Sequence, residues 1–249
     1  MNFSVVKDDF DTNGFAVLRN FFSLTEMEEI NNALNKYIEH TLPKLDENEA
    51  FYEKKEDPKT LMRLQNMGTH DPFFSALFHG KRLQSISQNL LGSPVRGKNL
   101  QWFNKLPVVG RLTPPHQDGF YFMLEPNQAI TLWLAQDPID ESNGCIRYLP
   151  GSHKKGMRAH KRTDVLGFSQ GLTEYKIIDM KNEIPVCVEP GDLIAHHSMT
   201  IHRADANKSN RPRRALGFVY FSQTATEDSE RAETYRKKLY DDWEKQGKI

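Results

Sequence analysis

The sequence has few cysteines and no net charge. Its two cysteines, Cys145 and Cys187, are too few for a disulfide scaffold or a cysteine zinc cluster, and they suit a reducing compartment. We expect both to be buried thiols. The 33 basic residues equal the 33 acidic ones, so the chain has no general electrostatic field that would attract nucleic acid or an anionic membrane. Neither partner is therefore expected.

Long apolar runs are missing as well. No stretch approaches the roughly 20 apolar residues that are needed to cross a bilayer. The segment from Met1 to Thr12 lacks the basic start and the apolar run of a secretory leader. We therefore expect a cytoplasmic protein.

The composition that is present is typical of an ordinary globular protein. A chain of 249 residues, of which 38% are hydrophobic and 10% aromatic, can bury a substantial core and is not disordered. No internal repeat or inter-domain linker is visible. We expect one domain over residues 1–249, with a helical part at about 1–92, a β-rich core at about 93–222 and a C-terminal helix at about 227–247.

The first part of the chain carries helix signals. Ser23 and Glu26 form a capping-box pattern ahead of an apolar stripe with helical spacing. Asp71 opens a second helix, and a further helical stretch ends at Gly92, which suits a C-terminal cap. Between these helices, residues 45–59 are rich in Asp, Glu and Lys. This segment is expected to be a solvated connector, with a lid over a pocket as the alternative.

From Gly92 to about Ser222 the sequence changes to short apolar runs separated by turn residues. Many short strands with such turns predict an all-β sandwich or barrel, here with helices added at both ends. The predicted strands are Val95–Leu106, Gln117–Phe122, Ile130–Ala135, Cys145–Leu149, Tyr175–Asp179, Val186–Val188, Leu193–His196 and Leu216–Phe221.

Four residues within this β region form a pattern that carries chemistry. On a strand, His116 and Asp118 would project from the same face and could share one metal ion. Alone this triplet is weak evidence, because about 0.6 such triplets are expected by chance. His202 supplies a second imidazole, and two histidines with one carboxylate suit non-haem Fe(II) oxygenases. Arg213 adds a guanidinium fork that can hold a remote carboxylate of a co-substrate.

With these residues, the sequence resembles the phytanoyl-CoA dioxygenase family of Fe(II)/2-oxoglutarate-dependent oxygenases, which includes ectoine hydroxylases. The resemblance runs from Phe10 to about Phe221. It implies a mainly β fold with flanking helices, a double-stranded β-helix of the jelly-roll, cupin-like type. Its motifs are His116-Gln117-Asp118, Asn143-Gly144-Cys145, Leu149-Pro150-Gly151-Ser152-His153, Pro190-Gly191-Asp192, and His202 with Arg213.

The resemblance implies a role for each of these residues. His116, Asp118 and His202 would ligate Fe(II), and Arg213 would pair with the far carboxylate of 2-oxoglutarate. With O2, the enzyme would hydroxylate an unactivated C–H bond of a small-molecule substrate and release succinate and CO2. Tyr121 and Thr131 fall where relatives often line the co-substrate pocket. Asn104 and Lys105 are expected near that pocket on the preceding strand, with Gln101 as a competing candidate for Asn104.

Several alternatives stay open at the level of sequence. A metal-dependent hydrolase or isomerase could use the same two histidines and aspartate, and a catalytically silent binding module could share the fold. His196 and His197 are rival ligands for His202, or could face the substrate. The basic segment 153–162 is either a solvated loop or a rim that attracts an anionic substrate. Trp133 is expected in the core.

Overall fold

Two antiparallel sheets form the centre of the computed structural model, which describes residues 3–163, 165 and 169–245. The larger sheet has seven strands and the smaller has four. They face each other closely enough for the His196 ring on one to lie 4.7 Å from the His202 ring on the other. Helices pack outside the larger sheet. The predicted jelly roll with flanking helices is thereby confirmed.

The larger sheet has the strand order β1-β12-β7-β14-β4-β3-β2, and the smaller has the order β11-β8-β13-β5. Two further pairs, β9 with β10 and β6 with β15, lie outside them. The strands are β1 (Phe15–Leu18), β2 (Ala50–Tyr52), β3 (Leu61–Leu64), β4 (Val95–Lys105), β5 (Thr113–His116), β6 (Leu124–Glu125), β7 (Ala129–Ala135), β8 (Ile146–Tyr148), β9 (His160–Arg162), β10 (Gln170–Leu172), β11 (Ile184–Val186), β12 (Leu193–His197), β13 (His202–Ala204), β14 (Arg213–Ser222) and β15 (Thr226–Glu227).

Helices precede, interrupt and follow the sheets. The capping box at Ser23 is present, with Glu26 as its partner, and Gly92 ends its helix in the left-handed conformation, as predicted. None of the helices in the described part of the chain has the length and apolar character that crossing a bilayer requires. The helices are α1 (Phe3–Asn13), α2 (Leu24–Lys36), α3 (Met67–His70), α4 (Pro72–Phe78), α5 (Lys81–Leu91), α6 (Gly119–Phe122), α7 (Ile177–Lys181) and α8 (Ser229–Lys245).

Strand β7 shows how the core is divided. All seven of its residues are buried, and successive side chains alternate between the two faces of the larger sheet. Leu132 and Leu134 point to the helices and join the main apolar cluster with Phe74 of α4. Thr131 and Trp133 point to the other side, toward the smaller sheet. The helix layer therefore stabilises the sheet, and the opposite face is left for chemistry.

The predicted strand Gln117–Phe122 is wrong, because the extended backbone ends at His116 and the chain turns into the helical turn α6. A tertiary contact overrides the β propensity of its aromatic residues. The Asn127 side chain donates a hydrogen bond to the Gly119 carbonyl at 2.7 Å. A Cβ at Gly119 would lie 2.5 Å from Asn127 Oδ1, so this close approach requires glycine.

The predicted strand Tyr175–Asp179 is also wrong, since its second half belongs to helix α7. The Asp179 carboxylate accepts a hydrogen bond from the backbone N–H of Lys176 at 3.0 Å and so caps this helix. It also pairs with both Nη atoms of Arg158. The cap and the ion pair outweigh the β propensity of the β-branched residues in this segment.

Two segments of the N-terminal part differ from expectation. Helix α1 was not predicted from the sequence. The acidic segment 45–59 is more than a connector, because it contains β2, which pairs with β3 at the edge of the larger sheet. Phe51 of β2 is 1% exposed and makes an edge contact with Trp243 of α8. The segment thus joins the sheet to the last helix.

Candidate active site

His116 and His202 lie side by side on the smaller sheet. His116 ends β5 and His202 begins β13, and the two are cross-strand partners in antiparallel register. Their ring centroids are 4.3 Å apart. The strand pairing thus brings together two imidazoles that are distant in the sequence.

Asp118 joins them through the turn that follows β5. Its backbone is helical, with φ −56° and ψ −34°, so the expected same-face strand geometry is wrong here. The carboxylate nevertheless returns to the histidines: Oδ1 lies 3.4 Å from His116 Nε2 and 3.7 Å from His202 Nε2. One donor atom from each residue lies within 4.8 Å of the other two. Donors at this separation can bind one metal ion.

Both histidines are oriented by backbone carbonyls. His116 Nδ1 is 2.8 Å from the Pro114 carbonyl, and His202 Nδ1 is 3.0 Å from the Thr200 carbonyl. Because Nδ1 carries the hydrogen in such a contact, Nε2 carries the lone pair and points toward Asp118. This is the usual second layer around metal-binding histidines.

His196 is not one of the three grouped donors. Its Nε2 is 3.1 Å from Asp118 Oδ2, and its Nδ1 is 2.9 Å from the Tyr148 hydroxyl. Thr131 donates to the same carboxylate oxygen at 3.0 Å. These contacts hold the Asp118 carboxylate in place. The other rival, His197, contacts Phe10 instead and does not line the cavity.

The electrostatics of the site favour the charge state that a metal needs. Burial alone would raise the pKa of Asp118, but the neighbouring imidazoles of His202, His116 and His196 lower it well below its usual range. Burial, reinforced by the charge of His116, lowers the pKa of His202 to about 3. At neutral pH the site therefore offers a carboxylate and a neutral imidazole, the forms that ligate metals.

Arg213 begins β14 and lies in the same cavity. Its side chain is buried, its Nε donates to the Gly144 carbonyl at 3.1 Å, and its guanidinium lies 5.1 Å from the centre of the Trp133 ring. Burial lowers its pKa to about 10, so it is still a cation at neutral pH. Arg214 points to the opposite face and pairs with Asp137, as strand alternation predicts.

The other predicted pocket residues also line the cavity. Lys105 Nζ donates to the Asp205 carbonyl at 2.6 Å, and burial together with the charge of Arg213 lowers the pKa of Lys105 well below its usual range. The Tyr121 hydroxyl donates to the Gln170 carbonyl at 2.9 Å. The complete set is Gln101, Asn104, Lys105, Tyr121 and Thr131.

Asn104 has a free acceptor atom. Its Nδ2 donates to the Leu61 carbonyl at 3.0 Å, whereas its buried Oδ1 has no hydrogen-bond partner in the described part of the chain. The competing candidate, Gln101, is used differently, because its Oε1 accepts two hydrogen bonds from Arg63.

Arg63 and Trp133 are two cavity residues that sequence reasoning missed. Arg63 is on β3, and its guanidinium lies 5.3 Å from the centre of the Phe103 ring and 6.0 Å from that of Phe51. The signal for it was weak, since the strand has four residues and joins the sheet only through long-range pairing with β4. Trp133 was expected in the core, and it does pack there while its ring lines the cavity.

The cavity has a volume of about 830 Å³ and an outer wall of surface elements. Helix α8 forms one side with Tyr235 and Trp243, and the Tyr235 hydroxyl is 2.7 Å from Ser169 Oγ. The acidic segment 45–59 forms another side through Glu53, so the lid alternative for this segment is favoured. The basic segment 153–162 contributes none of the described lining residues, which argues against its role as a rim.

Known proteins resemble this chain in sequence. The family model described as Phytanoyl-CoA dioxygenase (PhyH) matches residues 10–215. Among curated proteins, Phytanoyl-CoA dioxygenase 1 of Oryza sativa subsp. japonica is 26% identical over 240 residues, which cover 83% of this chain and 84% of the relative.

Solved structures resemble it in fold. The epimerase SnoN, in complex with Fe3+, alpha ketoglutarate and nogalamycin RO, has a TM-score of 0.72 at 20% identity, over 90% of this chain and 85% of that one. EctD from S. alaskensis, with 2-oxoglutarate and 5-hydroxyectoine, has a TM-score of 0.71 at 18% identity, over 88% of this chain and 75% of that one. These likenesses support the jelly-roll architecture.

Proposed function

The chain belongs to the phytanoyl-CoA dioxygenase family, and from this we propose that it is an Fe(II)- and 2-oxoglutarate-dependent dioxygenase that hydroxylates an unactivated C–H bond of a small molecule. The products besides the hydroxylated substrate would be succinate and CO2. One observation carries the proposal: the donor atoms of His116, Asp118 and His202 converge in a cavity that also contains the buried cation Arg213.

The donor set fits ferrous iron. Two imidazoles and one carboxylate on one side of an ion leave the other positions open, which is the arrangement of non-haem Fe(II) oxygenases. When bound, iron with 2-oxoglutarate and O2 supplies the oxidising power. The protein contributes the orientation of His116 and His202 through carbonyl groups and the fixed carboxylate of Asp118.

Arg213 is the proposed anchor for the remote carboxylate of 2-oxoglutarate. Its Nε is already used by Gly144, so the two Nη groups remain to face a carboxylate as a fork. The Trp133 ring keeps the guanidinium in one orientation. Because the cavity wall excludes water from this buried cation, its attraction to an anion is stronger than it would be at the surface.

The rest of the cavity is the proposed substrate space. Tyr121 and Tyr235 supply aromatic walls, and the free Oδ1 of Asn104 offers an acceptor for an N–H or O–H group. We therefore propose a compact substrate with at least one hydrogen-bond donor. Helix α8 and the segment 45–59 would set its size, because they form the outer wall.

The alternatives lack this support. A metal-dependent hydrolase or isomerase has no need for a buried arginine beside its metal, and burying such a charge is costly without a partner for it. A silent binding module would be expected to have lost a ligand, whereas all three donors are grouped here.

We also propose a single cytoplasmic domain over residues 1–249. In support, β1, β2 and β3 of the N-terminal part belong to the same sheet as β14 near the other end. The helical part and the β-rich core thus share one sheet.

The first experiment tests the metal and co-substrate. Anaerobic addition of Fe(II) and 2-oxoglutarate to the wild-type chain should give the weak visible absorption band of the iron chelate, and His116→Ala should abolish it. His40→Ala is the matched control, because His40 is exposed and remote from the cavity, and it should keep the band. An unchanged band in His116→Ala would contradict the proposed ligand set.

A second experiment tests the reaction. Small molecules with hydrogen-bond donors are screened by succinate release, and each positive is examined by mass spectrometry for a product that has gained one oxygen atom. Conversion of a substrate with no consumption of 2-oxoglutarate would instead identify the hydrolase or isomerase alternative.

A further inference from the structure

The two cysteines occupy facing positions at the ends of neighbouring strands. Strands β8 and β11 are antiparallel, with Ile146 opposite Val186 and Arg147 opposite Pro185. Continuing this register by one residue places Cys145 opposite Cys187. The expectation of two buried thiols is wrong for Cys187, which is exposed, whereas Cys145 is buried.

The type of strand pair suits a covalent bond. Pro185 has no N–H, so its pair with Arg147 is not a doubly hydrogen-bonded one, and pair types alternate along an antiparallel ladder. Cys145 and Cys187 therefore form a pair of the same, non-hydrogen-bonded type. The Cys145 N–H agrees with this, because it donates to the Asp140 carbonyl at 2.9 Å. Cα atoms of such pairs are about 4.5 Å apart, and disulfides accept roughly 4.4–6.8 Å.

The two thiols are near neighbours. Burial raises the pKa of Cys145 to about 12, and the adjacent Cys187 thiol contributes to the rise. Cys187 is exposed and accessible to solutes, whereas Cys145 is buried and accessible only to the neighbouring Cys187.

This pair adjoins the proposed 2-oxoglutarate anchor. Cys145 follows Gly144, whose carbonyl accepts the hydrogen bond from Arg213 Nε. Gly144 has φ +84°, and a Cβ there would lie 2.5 Å from the Asp205 carbonyl oxygen and 3.2 Å from Lys105 Cδ. The Gly144 backbone is therefore packed closely against Asp205 and Lys105.

We propose that Cys145 and Cys187 form a reversible disulfide that lowers the affinity of the cavity for 2-oxoglutarate. The effect on 2-oxoglutarate rests on the proposed function; the disulfide itself does not. Disulfides favour a Cα separation of about 5.5–6 Å, so closing the bond pushes the Cys145 backbone away from Cys187, displaces the adjoining Gly144 carbonyl and so loosens Arg213. In a reducing compartment, disulfides of this kind are transient and sense oxidants.

A hydroperoxide is the proposed oxidant. Hydrogen peroxide transfers one oxygen to the Cys187 sulfur, which gives a sulfenic acid and one water. The Cys145 sulfur then attacks the Cys187 sulfur, the S–O bond breaks, and the hydroxide leaves with the Cys145 proton as a second water. Two thiols thereby lose two electrons and two protons, and one peroxide becomes two waters. A dithiol such as dithiothreitol reverses the reaction by exchange.

The disulfide is tested first. The full chain is kept metal-free with a chelator, treated with a small excess of hydrogen peroxide, desalted, and digested without reductant. Mass spectrometry should find the Cys145 and Cys187 peptides joined, with both thiols lost from titration and restored by dithiothreitol. Cys187→Ser and Cys145→Ser should form no intramolecular bond. Two thiols still titratable, or oxidation of Cys187 alone, would overturn the proposal.

The coupling is tested on the same samples after reloading with Fe(II) under argon. The dissociation constant of 2-oxoglutarate should be about fivefold or more higher in oxidised than in reduced wild type, and unchanged by peroxide in Cys187→Ser. A disulfide with equal affinity in both states would overturn the coupling. Absence of 2-oxoglutarate binding in the reduced protein would instead refute the proposed function, while the peptide result would still decide the disulfide.

Discussion

His116 and His202 are paired in register across β5 and β13, with ring centroids 4.3 Å apart. The backbone ladder thus fixes the separation of the two imidazoles before any metal binds. Asp118 comes from the turn beside them, whereas Thr131 and Arg213 come from the larger sheet. Three donors belong to one side of the cavity, and the groups that orient the carboxylate and the proposed co-substrate belong to the other.

Removing the Thr131 hydroxyl should weaken the metal site. Thr131→Val keeps the shape of the side chain but loses the hydrogen bond to Asp118 Oδ2, so the dissociation constant of Fe(II) should rise about tenfold in an anaerobic titration. Thr60→Val is the control, because the Thr60 hydroxyl also donates a hydrogen bond, to the Lys54 carbonyl, but makes none with the three metal donors. Equal Fe(II) affinity in both variants would show that Thr131 does not orient the carboxylate.

Replacing Arg213, the proposed anchor, should weaken the binding of 2-oxoglutarate. In Arg213→Lys the positive charge stays, but the fork and the Nε bond to Gly144 are lost, so the dissociation constant of 2-oxoglutarate should rise roughly tenfold or more. The adjacent Arg214→Lys is a matched control, since Arg214 faces away and pairs with Asp137. The two constants come from titrating the visible band. A similar change in both variants would argue against Arg213 as the anchor.

Acid should destabilise the fold in part through His197. Burial, with the charges of His153 and His196, lowers its pKa to about 4, and its Nδ1 accepts a hydrogen bond from the Met199 N–H. Because the unfolded chain takes up this proton near its ordinary pKa of 6.5, stability is full above that pH and falls between about 6.5 and 4. The loss is at most about 3 kcal/mol.

The His197→Asn variant tests this, since an amide oxygen can accept the same hydrogen bond without titrating. Its free energy of unfolding, measured with denaturant at a series of pH values, should fall less steeply between pH 6.5 and 4 than that of the wild type. The exposed His40→Asn serves as control and should follow the wild-type curve. Parallel curves for all three proteins would exclude the contribution of His197.

Removing Trp243 should undock α8. This side chain is 5% exposed and makes edge contacts with Phe51 and Tyr240. A buried Trp→Ala change lowers the free energy of unfolding by about 3–5 kcal/mol. In a terminal helix this loss can appear as local unfolding. Amide hydrogen exchange should therefore accelerate in α8 of Trp243→Ala but not in β7. The control is Glu244→Ala, at an exposed position, and its α8 amides should exchange as in the wild type. Slow exchange of α8 in both variants would show that other contacts hold the helix.

The sequence was sufficient where signals are local or carried by a motif. The cap at Ser23, the end of a helix at Gly92 and the strands β4, β7, β8, β12 and β14 follow from neighbouring residues, whereas the short strands β5, β9, β10 and β13 were not predicted. His202 could be associated with Asp118 only because the spacing of the whole set, with Arg213, resembled a family. No local rule would have chosen it over His196.

The rest depended on long-range contacts. The turn at Asp118 requires Asn127 to pack on Gly119, and a strand was therefore expected there. Arg63 reaches the cavity only because β3 pairs with β4, far along the chain. The exposure of Cys187 likewise follows from where its strand ends in the sheet, which composition does not reveal.

Strand β14 is the last long strand of the chain, yet it lies in the interior of the larger sheet, between β7 and β4. A nascent chain that has only reached β13 therefore has a gap in its main sheet and lacks Arg213. Such non-local pairing forms late and slowly. Assembly of the centre is thus deferred until β14 has been synthesised, and loading with iron is expected to follow that step.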